Sequence, residues 1–253
     1  MLSAEAHRDE FIKLVDTGDE DKCIEYINKY NDFYDTIYDK WTSWGITKIN
    51  ILMHTCWRRL PKVAIALIGK KCNLTYHDDS RGYSALTVAS INQLHDVVAH
   101  IIDNLSDTTT RFYSTGSAIS EMMYLCLNGN NNANIIKMIN KGYDIYYHSP
   151  YSKSVTLFTT AVRYGNMDMA KKLIDIDIDF AEKIKIYYGE HKIDDNFYNR
   201  IVKYINDKRD AYKHTIIATM DDASPANALY QSFHTTYAVG LVDIICDFIL
   251  LQT

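Results

Sequence analysis

A phrase that recurs with drift constrains this chain more than any other feature. Residues 79–102 read DSRGYSALTVASINQLHDVVAHII, and residues 155–174 read VTLFTTAVRYGNMDMAKKLI. Each opens on small or turn-forming residues and runs through a short apolar segment ending near Ala. Each then passes a polar tip and closes on a second apolar stripe ending in Ile. A unit of this size cannot bury its own apolar face, so copies must stack on one another. The expectation is an all-α solenoid of about five to seven helix–turn–helix units.

The ends of the outer stripes, Ile27, Ile68, Ile102, Ile139, Ile174 and Ile249, set the register. They place units at approximately 6–30, 46–72, 79–104, 117–145, 152–176 and 226–251 of a single domain spanning 1–253. Residues 177–222 fit the period badly and read as either a divergent repeat or a helical insertion. First helices are expected over Asn50–Trp57, Ser84–Ile91 and Thr156–Tyr164. Turns follow at Gly18-Asp19, Arg59-Leu60, Gln93-Leu94, Gly165-Asn166 and Val239-Gly240. Second helices carry apolar residues at helical spacing, such as Val97, Val98, Ile101 and Ile102. Small residues at Ala89, Ser90, Ala161 and Val162 let neighbouring first helices approach closely. Asp79 and Gly82 are expected to form the turn between two units, Asp79 capping it through its carboxylate. Residues 31–49 read as an aromatic-rich connection and 104–119 as a second, Ser/Thr-rich one.

Composition removes several function classes. A net charge of -5 argues against general nucleic-acid binding. The opening MLSAEAHRDEF carries no signal-type apolar run, and no stretch of about 18 apolar residues is present to span a membrane. Cys23, Cys56, Cys72, Cys126 and Cys246 are odd in number and lack the close spacing of a zinc or redox motif. A reducing, cytoplasmic setting is therefore expected.

The residues of the repeats resemble the ankyrin repeat family. The match in the third unit runs through Asp79, Gly82, Ser84, Ala85, Leu86, Thr87, Ala89 and Ser90. In the fifth it runs through Thr156, Leu157, Phe158, Thr159, Ala161, Val162, Gly165, Asn166, Met167 and Asp168. The Thr-Pro pair of the family is never intact, Thr87 and Thr159 stand where it has His, and Gln93 stands where it has an inter-helix Gly. The drift and the Ile/Asn/Tyr/Lys bias resemble ankyrin proteins of large DNA viruses. The resemblance implies a module that binds partners with its turn tips and first helices.

No constellation for chemistry emerges. His77 beside Asp78 and Asp79, and His95 and His100 beside Asp96, lack the three or four convergent ligands a metal needs. The cysteines lack a placed base, Gly129-Asn130-Asn131-Asn132 has no Lys-Ser/Thr behind it, and Asp175, Asp177 and Asp179 lack EF-hand spacing. The expectations are therefore no catalytic, cofactor or metal residues, no cofactor, and no enzymatic activity. The candidate protein-binding residues are Trp44, Trp57, Arg58, Arg81, Tyr83, Arg163 and Tyr164, because aromatics and Arg dominate interface energetics. The expected partner is an intracellular protein, in a host cell if the chain is viral, with neither nucleic acid nor membrane. Homodimerisation through the apolar C-terminal helix pair is the alternative.

Overall fold

The computed structural model describes residues 3–42, 45–79, 81–109, 119–127, 131–190, 193–233, 242 and 244. The expectation of an all-α ankyrin solenoid is corrected: the chain is mixed, 63% helical with two antiparallel sheets of two strands each. It divides into two compact units, Met1–Thr160 and Ala161–Thr253.

In the first unit, helices α1 (Ala4–Thr17), α2 (Glu20–Lys29), α3 (Ile51–Trp57), α4 (Pro61–Gly69), α5 (Ala85–Ile91), α6 (His95–Asn104), α7 (Glu121–Leu127) and α8 (Asn132–Asn140) pack in two rows. In one row α1 meets α3, α3 meets α5 and α5 meets α7. In the other α2 meets α4, α4 meets α6 and α6 meets α8. Leu52, Met53, Leu86, Val88, Met123 and Leu125 from the first row meet Val63, Leu67, Val97, Ile101 and Ile135 from the second, all buried. This apolar layer between rows is what a two-row array needs to be stable.

Each short first helix starts at a residue that serves two roles. Asn50 (φ -93°, ψ 169°) and Ser84 (φ -104°, ψ 171°) are extended, as an N-cap must be, and their side chains accept the Met53 and Thr87 amides. The extended conformation propagates backwards. Strand β1 (Ile37–Thr42) pairs with β2 (Gly45–Asn50), which runs directly into α3. Strand β3 (His148–Ser149) pairs with β4 (Ser152–Thr156), which runs into α9 (Leu157–Arg163), and His77 bridges Ser84 before α5. The segment read as an aromatic connection thus contains a hairpin. Its Ile-Tyr-Asp-Lys-Trp and Ile-Thr-Lys-Ile runs alternate at period two and are rich in β-branched and aromatic residues.

The inter-unit turn is also built differently from expectation. Asp78, not the exposed Asp79, caps it: its Oδ1 accepts the Arg81 amide at 2.6 Å and its Oδ2 the Tyr83 amide at 3.2 Å. Gly82 takes φ 68°. Lys141 ties neighbouring pairs together, donating from Nζ to the Ile102 carbonyl at 2.5 Å and the Leu105 carbonyl at 3.3 Å, where α6 leaves its last carbonyls unpaired.

Helix ends repeat one hydrogen-bond pattern. At Arg59, Lys71, Gln93, Gly142 and Gly165 the left-handed residue's amide bonds three residues back, and the next amide bonds five back, as in Gln93 to Ser90 and Leu94 to Ala89. This is the Schellman closure. Gly142 and Gly165 occupy it without strain, whereas Gln93 is held at φ 59°. Gln93→Gly should therefore stabilise the first unit by about 0.5–1 kcal/mol in urea melts. A melt unchanged or shifted to lower urea would show that the extra chain entropy of glycine outweighs the relieved strain.

The second unit contains α10 (Met167–Ile176), α11 (Asp179–Glu190), α12 (Asp195–Asp221, 27 residues) and α13 (Ala228–Phe233). Its described core is Val162, Met169, Ala170, Leu173, Ile174, Phe180, Ile184, Phe197 and Ile201. Asp175 on α10 fastens α12, accepting from the Tyr204 hydroxyl at 2.5 Å and from Lys208. Most of 226–251, including the C-terminal stripe and Cys246, lies outside the described residues.

Candidate functional site

The β1–β2 hairpin has two chemically opposite faces. The register pairs Tyr38 with Ile49 and Lys40 with Thr47 on one face, where Thr47 and Ile49 are buried and Tyr38 and Lys40 half-buried. The other face pairs Trp41 with Ile46 and Asp39 with Lys48. On that outward face Trp41 is 78% exposed, Ile46 52% and Ile37 43%. Opposite charges stand directly across from one another at Asp39 and Lys48, which favours this register.

The inward face is held by a polar cluster centred on His54 of α3, only 4% exposed. His54 Nε2 donates to Asp16 Oδ1 of α1 at 3.1 Å. That fixes the tautomer and leaves Nδ1 as an acceptor. The Tyr38 hydroxyl donates to Nδ1, and the Lys40 ammonium lies 3.3 Å from the same atom. Lys40 also sits 4.8 Å above the Trp57 ring. Arg58 completes the cluster, donating to the Asp16 carbonyl at 2.7 Å with its Nε 3.4 Å from the Asp16 carboxylate.

The electrostatics follow from burial. Desolvation, helped by the Lys40 charge, holds His54 down to about 4, and this outweighs the upward pull of Asp16. Burial lowers Lys40 as well, assisted by Arg58 and opposed by Asp16, and burial raises the Tyr38 phenol. At neutral pH the imidazole is therefore a neutral acceptor that pins two strand residues to α1 and α3. Arg8 and Tyr76 fasten the strands further, donating to the Ile37 carbonyl at 3.0 Å and the Lys48 carbonyl at 3.1 Å. The cluster anchors the hairpin and the outward face is presented.

The residues expected to bind a partner are dispersed. Trp57 and Arg58 belong to the anchor rather than to an open stripe. Arg81 lies 6.0 Å from the Tyr83 ring, which in turn meets Tyr124 edge-on at 6.1 Å. Arg163 and Tyr164 are exposed in the second unit. Trp44 lies outside the described residues. Trp41, Ile37, Ile46, Lys40, Tyr38, His54 and Asp16 were missed. The signal for the strand residues was the alternation within 37–49. The signal for His54 was a histidine at the helix position where α5 has Val88.

Other candidates have structural partners. Cys23, Cys56, Cys72 and Cys126 are buried free thiols, and burial pushes Cys23 up to about 11 and Cys72 to about 12. His95 Nδ1 lies 2.9 Å from Asn131 Oδ1, whose own amide donates to Ser90 at 3.1 Å. His100 Nδ1 lies 2.8 Å from the Asp96 carbonyl, and Asp177 Oδ1 accepts the Asp179 amide at 3.0 Å. Among the described residues no group of three or more His, Cys, Asp and Glu converges. Among them, too, no helix is long and apolar enough to cross a membrane.

No family model matches the chain, and no curated protein matches it. The ankyrin resemblance therefore stands on its residues alone. Solved structures do match, 212 chains in all, so the fold is widely shared and by itself names no activity. One match is to a chain of the structure titled "Bd0816 Predatory Endopeptidase from Bdellovibrio bacteriovorus in complex with immunity protein Bd3460". It has a TM-score of 0.53 and 17% identity, covering 68% of this chain and 90% of that one. That title names an endopeptidase complex and no ankyrin solenoid, so it bears with the two sheets on the correction of fold class. It also corrects the expectation of a chain without enzymatic activity: a likeness to a structure that contains an endopeptidase removes the ground for excluding catalysis. At this identity it shows the fold alone.

Proposed function

We propose that this chain is a protein-interaction module that docks an intracellular partner on the outward face of the β1–β2 hairpin. The observation that carries the reading is Trp41, 78% exposed and paired across the strands with Ile46 at 52%. A large indole held on a fastened hairpin loses little side-chain freedom on binding, which is why Trp is enriched where interface energy concentrates. Three further features support the reading. Asp39 and Lys48 flank the apolar pair and supply a polar rim. The buried free thiols suit a reducing compartment. The solved structure sharing this fold is, by its title, an assembly of two proteins.

Trp41→Ala and Ile46→Ser, made together on the full chain, should weaken a partner recovered by affinity capture by about 30-fold or more, the equivalent of about 2 kcal/mol. Tyr212→Ala, at an exposed aromatic of α12, should leave it unchanged. Equal affinity of the hairpin variant and wild type would move the interface away from this face.

A further inference from the structure

We infer that the second unit carries a binding site for an organic monocarboxylate with an apolar body, independent of the hairpin surface. A cavity of about 480 Å³ opens beside the turn between α9 and α10 and the start of α12. That volume falls in the range of small-molecule sites. Its walls are apolar: Val162 and Phe197 are buried, Tyr187 of α11 presents its ring, and Ile193 closes one side. Gly165, left-handed at φ 68°, leaves its edge open, since a Cβ there would meet nothing within 4 Å.

Two charged residues line the cavity and differ in their engagement. Asp194 is the N-cap of α12, its Oδ1 accepting the Phe197 amide at 2.8 Å. Arg163 makes no hydrogen bond or ion pair among the described residues, although its charge lies near enough to Tyr187 to oppose the upward push that burial gives that phenol. A planar guanidinium at the rim of an aromatic-walled cavity matches a carboxylate in bidentate geometry. Charge decides against a phosphate: one cation, with Asp194 beside it, does not balance a dianion. The apolar wall requires that the carboxylate carry a hydrocarbon or aromatic group.

Calorimetric titration of the full chain with 4-phenylbutyrate, 4-phenylbutanol and inorganic phosphate tests this. Saturable binding of the acid is expected, at least ten-fold tighter than the alcohol, with none for phosphate. Arg163→Gln, an exposed position, should abolish the preference for acid over alcohol while leaving thermal unfolding unchanged. A short peptide ending in Phe, with its terminus free or amidated, identifies the source. Tighter binding of the free-terminus peptide than of phenylbutyrate points to a chain terminus, and the reverse points to a small-molecule acid; either supports the site. Equal binding of acid and alcohol, wild-type behaviour of Arg163→Gln, or no saturation at millimolar acid overturns it.

Discussion

Acidification from pH 7 to pH 5 should cost the first unit about 2 kcal/mol through His54 alone, and about 3 kcal/mol by pH 4. The imidazole titrates near 6.5 when unfolded and is held down to about 4 in the fold. Between those values the unfolded chain binds the proton and the native chain does not. The stabilisation from keeping His54 neutral is therefore complete above pH 6.5 and is lost as pH falls toward 4. Every group facing the imidazole is relevant to the outcome. Protonated Nδ1 would confront the Lys40 ammonium 3.3 Å away and lose the Tyr38 hydroxyl as a donor, with Arg58 adding like charge; only Asp16 would favour it. Burial decides the balance, because desolvating the imidazolium outweighs one half-exposed carboxylate. Urea melts of wild type and His54→Gln from pH 7 to pH 4.5 isolate the effect above the range where carboxylates protonate. The variant should lose most of the slope. A variant that retained the wild-type slope would place the acid sensitivity elsewhere.

Leu86→Asp should unfold the first unit, at a cost of more than about 4 kcal/mol. Leu86 is 1% exposed on α5, the helix that meets α3 on one side and α7 on the other in its row. Removing it leaves a cavity worth about 2–5 kcal/mol, and an unpaired carboxylate in its place adds its desolvation. Ile91→Asp on the same helix, at a position 38% exposed, should stay within about 0.5 kcal/mol of wild type. Scanning calorimetry of both distinguishes burial from any general intolerance of α5 to charge. If Leu86→Asp melted cooperatively within 1 kcal/mol of wild type, the assigned facing of α5 would be wrong.

The helix pairs were legible because their signals are local. Ser84 and Thr87 form a capping box, Thr87 donating to the Ser84 carbonyl at 2.8 Å. Thr159 does comparable work by reaching the Ser154 carbonyl at 2.6 Å. Both were visible as polar residues ahead of an apolar run. The turn at Gly165-Asn166 was legible for the same reason, and Gln93 was recognisable as a non-glycine at a position that closes left-handed. The hairpin over 37–50 was not read, although its alternation was present, because twelve aromatic-rich residues between helices satisfy a loop reading equally well until a partner strand is identified.

The site was less legible than the fold. Trp57 and Arg58 stood out by residue type, yet they hold Lys40 and Asp16 rather than face outward together. His54 was read in the sequence only against Cys56, two residues away on the same helix. Its partners, Asp16, Tyr38 and Lys40, come from α1 and β1.

The amino-acid sequence by itself determined where the short helices begin and end, which residues form their apolar stripes, and which turns need a left-handed residue. Those are set by contacts within a few residues, through caps, 3.6-residue periodicity and the steric cost of positive φ. Only the tertiary structure decided that the segment before α3 is a hairpin, which of its faces is buried, and that His54 is neutral. Strand pairing and desolvation depend on groups brought together from separate elements, and no local pattern states which groups those are.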